Sequence, residues 1–97
     1  MTAALDQARA AESSLRARLA AAVTERARAA READRLESLA ALPNAEPAVS
    51  SAAVAQHGLA DQAAQRIETL RVALRRAEAD VVTLETALDA ERAAQER

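Results

Sequence analysis

Apolar residues recur at alternating steps of three and four in two stretches of this chain, and a Pro-x-x-x-Pro interruption at Pro43 and Pro47 separates them. In the second stretch Ala60, Ile67, Leu74, Val81 and Leu88 share one position of a seven-residue repeat, a. Ala63, Leu70, Ala77, Leu84 and Glu91 share the other inward position, d. Apolar a and d positions sustained over this many repeats predict a coiled coil, because they keep one narrow seam turned toward a partner helix. In the first stretch a is occupied by Leu5, Glu12, Leu19, Arg26, Ala33 and Ala40, and d by Ala8, Leu15, Ala22, Ala29 and Leu36. That seam is weaker, being largely Ala with two charges inside it.

The predicted organisation is a single all-α domain with helix one over residues 1–41, a Pro/Ser/Ala linker over 42–58 and helix two over 59–97. Helix one runs from about Ala3 to Ala41, with Thr2 as its N-cap. Pro43 disfavours helical backbone at Leu42 and removes a donor, so the helix stops there. Asn44 suits a turn, and Pro47 suits the first position of a helix. Ala48–His57 reads as a short helix within the linker, ended or kinked by Gly58. Two arms of similar length around a turn suit a helical hairpin.

Charges at the seam edges bear on how the arms pair. Parallel copies of the second arm set Arg66 against Arg71 and Asp80 against Glu85, and parallel first arms stack Arg26 on Arg26 and Glu12 on Glu12. An antiparallel fold with Leu15 opposite Val81 does better. It sets Leu19 against Ala77, Ala22 against Leu74, Ala29 against Ile67 and Leu36 against Ala60, mostly large against small. Its flanking pairs are Arg9 with Glu85, Arg16 with Glu78, Arg18 with Asp80 and Glu32 with Arg66. Slipping one heptad either way brings Glu12 to Glu91 or Arg16 to Arg71. The predicted fold is therefore an antiparallel coiled-coil hairpin, with association of two copies into a four-helix bundle as its natural extension.

Composition narrows the core that such a fold can hold. Hydrophobic residues make up 51% of the 97, but 30 of them are Ala, and the larger ones are eleven Leu, six Val, Ile67 and Met1. Burying Ala stabilises far less than burying Leu or Val, at about 1.5–3 kcal/mol each for the larger residues. Val23, Leu39, Val72 and Val82 lie off the seam and suggest a second apolar stripe, the candidate contact surface for a partner. The segment Pro43–Gly58 is a second candidate contact.

Candidate chemistry is sparse. There is no Cys, hence no disulfide and no thiolate metal site. His57 is the sole histidine and reads as a solvated linker residue. Ser and Thr are scattered without a motif that activates a nucleophile. No Gly-rich phosphate loop and no metal spacing is present, so neither a cofactor nor enzymatic activity is predicted. All 13 basic residues are Arg, a bias that a GC-rich bacterial or phage genome produces along with abundant Ala. The net charge of −2 gives no overall field toward nucleic acid or anionic lipid.

One local cluster, Arg26, Arg28, Arg31 and Arg35, offers phosphate contacts, but Glu25, Glu32, Asp34 and Glu37 interleave with it and there are no aromatics for bases to stack on. The start of the chain has no signal-peptide pattern, and no apolar run is long enough to span a bilayer. The sequence thus predicts a non-enzymatic coiled-coil interaction protein: an adaptor, spacer or assembly factor, cytoplasmic or within a virus particle, whose partner is itself or another helical protein. The alternatives are a nucleic-acid accessory protein using the Arg26–Arg35 cluster and a phage or virion structural or scaffolding component.

Overall fold

The computed structural model describes residues 2–96. They form a helical hairpin of two helices, α1 (Thr2–Ala40) and α2 (Pro47–Gln95), and no strand occurs among the described residues. Strong helix formers dominate both elements, and Gly58 and the first-turn Pro47 are the poorest formers within them. Thr2 is the first helical residue of α1 rather than its cap.

The connector is short and made of ordinary turns. The Ala41 N–H donates to the Glu37 carbonyl at 3.1 Å, and the Leu42 N–H to Leu39 at 3.2 Å, which tightens the end of α1. A turn closed by the Ala45 N–H and the Leu42 carbonyl, at 3.1 Å, reverses the chain. Pro47 then opens α2, where its missing N–H costs nothing. Among the described residues no non-glycine backbone needs a positive φ.

Helix two therefore begins at Pro47 rather than at Leu59. Residues 48–57, expected as a short helix within the linker, are helical but continuous with the rest of α2, and Gly58 neither breaks the helix nor adopts positive φ. The reason is a competition of magnitudes. One Gly in a helix interior costs about 0.5–1 kcal/mol relative to Ala, whereas the helical segment before it adds buried seam positions. Ala53 is buried, and Val49 and Gln56 are half-buried, continuing the d–a–d rhythm toward the connector.

The seam follows the predicted phase. Every expected a and d residue of α1 is buried or half-buried except Arg26, and every one in α2 except Glu91. The hairpin divides into two compact units. The connector unit, Ala20–Glu68, has a core of small residues, Ala22, Ala29, Ala33, Ala53 and Ala63, around Ile67. The terminal unit, Met1–Leu19 with Thr69–Arg97, buries Leu5, Leu70, Ala77 and Val81 and half-buries Leu15, Leu19, Leu74, Leu84 and Leu88. Larger side chains hold that seam together, but their outer edges stay wet.

The predicted partners across the seam are met in part. In the terminal unit the predicted pair Arg9–Glu85 forms, at 3.7 Å, and Leu15 shares a groove with Ala73 and Ala77. Arg16, expected to face Glu78, turns instead to Glu12 of its own helix at 2.5 Å. In the connector unit Arg66 binds Glu25 at 2.6 Å rather than Glu32, one heptad from the predicted partner, and Ala29 lines a cleft with Gln56 and Leu59.

Candidate interaction surface

Neither helix buries its large aliphatic residues completely. Val23, Leu39, Val72 and Val82 are all exposed, from 39% at Leu39 to 63% at Val82. They do not make one stripe. Val23 and Leu39 flank the α1 seam on opposite sides, at e and g. Val72 and Val82 sit at f and b of α2, nearly a quarter-turn apart by helical geometry. Sequence reasoning missed Val54 and Leu59, which are also exposed, because Val54 lay inside the supposed linker and Leu59 at its edge. Extending the heptad of α2 back through Gly58 places Val54 at b and Leu59 at g.

Three concave surfaces accompany these residues. In the connector unit, Ala29, Gln56 and Leu59 line a shallow cleft of about 270 Å³ with Arg28 and the Arg66–Glu25 pair at its rim. In the terminal unit, a groove of about 440 Å³ runs along Leu15, Val72, Ala73 and Ala77 and is bordered by Arg76 and Asp80. A smaller one, about 230 Å³, lies near the helix ends around Leu5 and Leu88 and is rimmed by Asp6, Arg9, Glu85 and Arg92. Of the three, the groove beside Val72 is the one that joins apolar side chains from both helices to an exposed valine.

The arginine cluster is less available than its sequence suggested. Arg35 donates Nε and a terminal nitrogen to Glu32. That hydrogen bond holds the Glu32 carboxyl below its ordinary pKa and raises that of Arg35. Arg28 sits at the cleft rim close to Glu25. Arg28, Arg31 and Arg35 share the outer face of α1 at c and f, whereas Arg26 occupies a seam position and is exposed. The four are thus near one another on α1, and of them Arg35 alone pairs with a carboxylate among the described residues.

His57 is not a linker residue. It stands on α2 with its Nε2 against a Glu37 carboxylate oxygen of α1, an interhelix pair within the connector unit. The Glu37 hydrogen bond, aided by the charges of Glu37, Asp34 and Asp61 and only partly opposed by desolvation, raises the His57 pKa. Two hydroxyls expected to be idle are bound locally: Thr24 donates to the Ala20 carbonyl and Ser38 to that of Asp34, each at 3.1 Å. Such bonds to the preceding turn leave those oxygens as helix-surface groups.

Among the described residues no group of three or more His, Cys, Asp or Glu is placed to hold a metal ion. No helix among them is long and apolar enough to cross a membrane. No protein-family model matches the chain, and comparison with curated proteins and with solved structures returns no match either.

Proposed function

We propose that this chain is a non-enzymatic coiled-coil interaction protein whose role, as adaptor, spacer or assembly factor, is exercised by associating with further helices. The observation that supports this most is the mismatch between its large aliphatic residues and its core. The fully buried set is mostly Ala, while seven larger aliphatic side chains, Val54 at 71% among them, are left exposed. A two-helix layer has no second face on which to bury them, and a third or fourth helix supplies one. The Arg- and Glu-rich surface supports register and solubility rather than a reaction, since exposed ion pairs of this kind contribute about 0–1 kcal/mol each.

The test is solution mass by light scattering across a concentration series, with helicity and thermal unfolding followed in parallel. Assembly predicts a dimer or tetramer and a melting temperature that rises with protein concentration. A monomer whose cooperative unfolding is independent of concentration up to the millimolar range argues against self-assembly.

A further inference from the structure

The terminal unit has two unlike flanks. On the flank where Arg9 meets Glu85, the outward positions of both helices are densely charged, with Asp6, Arg16, Arg75, Glu78 and Asp89. On the other flank, the c and g positions of α2 run Ala73, Arg76, Asp80, Thr83, Ala87, Ala90. All but Ala73 are exposed, and Ala73 is half-buried in the groove that also holds Leu15, Val72 and Ala77. The g and c positions of α1 bring Ala4, Gln7, Ala11, Ser14 and the exposed Arg18 to this same flank. A c/g seam alternates steps of four and three as an a/d seam does, so the flank has the periodicity of a second coiled-coil surface.

Its two α2 charges are informative. Arg76 and Asp80 stand one helical turn apart, yet among the described residues neither joins an ion pair. A cation N-terminal to an anion at this spacing is the weaker orientation within a helix. Across an antiparallel two-fold axis passing midway between them, each becomes the other's complement. Arg76 of one copy then faces Asp80 of the second, and the reverse pair forms by symmetry. The same axis sets Ala73 opposite Thr83, small enough for close helix approach, and covers Val72. Self-complementarity of one surface patch is what an isologous dimer requires, and an α2 edge carrying one cation and one anion equidistant from an axis satisfies it without any other protein.

We propose that a second copy of this chain docks along the groove of the terminal unit, α2 antiparallel to α2, with Arg76 of each copy paired to Asp80 of the other. This rests on the assembly reading above and names its partner and its face. Partnership with a different protein is the competing outcome.

Sedimentation velocity at low salt, on the full chain, tests it through Arg76→Glu and Asp80→Arg. Both positions are exposed, so helicity is retained, as circular dichroism checks. Each single variant sets like charges together twice across the axis and raises the dimer dissociation constant by about tenfold or more. An equimolar mixture of the two variants, and the double variant alone, recover the wild-type constant. Wild-type dimers indifferent to either change overturn this face while leaving assembly intact. Weakened single variants that the mixture fails to rescue overturn the reciprocal pairing. A wild type that is monomeric throughout the series removes both this inference and the self-assembly reading.

Discussion

Arg66 of α2 reaches Glu25 of α1 at 2.6 Å, one heptad from the predicted partner Glu32, while His57 of the same unit meets Glu37. A seam aligned on the first pair, at g positions, sets Ala29 level with Ala60, and one aligned on the second, at e positions, sets Ala29 level with Ile67. A disulfide needs Cα atoms within about 7 Å, and a one-heptad error moves a residue about 10 Å along the axis. Alignment on the Arg66–Glu25 pair should let oxidation close the pair Ala29→Cys/Ala60→Cys and leave Ala29→Cys/Ile67→Cys reduced. Mass spectrometry of the oxidised monomer band reads the result. Closure of the second pair alone returns the register to the one inferred from sequence.

Gly58 lies inside α2, and a methyl group added there meets nothing within 4 Å. Its backbone does not use positive φ. Gly58→Ala should then stabilise the hairpin by about 0.5–1 kcal/mol, through helix propensity and a less flexible unfolded chain. Urea denaturation followed by circular dichroism measures this as a higher midpoint with unchanged slope. A destabilised variant indicates that the glycine makes room for a partner absent from the isolated chain.

Ile67 is the largest fully buried side chain, at 2% exposure, in a unit otherwise filled with alanines. Truncation to Ala removes its buried methyls and leaves a void that neighbouring Ala residues cannot fill, a change worth about 2–5 kcal/mol. For a small domain with about 5–15 kcal/mol in total, that is a large share. Val82→Ala, on an exposed position, should change stability by no more than about 0.5 kcal/mol. Equal losses in urea denaturation mean that Val82 is covered in solution by another helix.

What could be read from the chain divides along a physical line. Heptad phase was legible because each inward position repeats the same local signal: Leu5, Ala22, Ile67 and Val81 are buried where the pattern put them. Register was legible only in part, because a slip of seven leaves that signal unchanged and the choice then rests on exposed charge pairs: Arg9–Glu85 forms as expected, while Arg66 takes Glu25 in place of Glu32. Connector length was misjudged at Gly58, where a local breaker signal was outweighed by the buried seam residue Ala53 and its half-buried neighbours. The same misjudgement hid the partner of His57. The interaction stripe inferred from Val23, Leu39, Val72 and Val82 was drawn only from their lying off the seam; their individual heptad positions scatter them around the helices. The groove beside Val72 needed the second helix to become visible, since Leu15 reaches it from α1.

The His57–Glu37 pair gives the connector unit a pH-dependent link between its helices. Because the folded-state pKa of His57 is raised above the ordinary 6.5, folding takes up protons there, and protonation favours the folded state. The contribution is fully present below about pH 6.5, above the range where carboxylates protonate, and it is lost as pH rises through the folded-state value. Thermal melts of wild type and His57→Gln across pH 5–9 isolate it. The stability difference between the two should shift in favour of wild type toward pH 5 and level off once the pH has passed the raised folded-state value, with any fixed offset from helix propensity set aside. Added salt should flatten the difference, since both side chains are about half exposed. A difference that stays constant from pH 5 to 9 means the imidazole does not meet Glu37 in solution. A difference that persists in Glu37→Gln assigns the proton to the field of Asp34 and Asp61 instead.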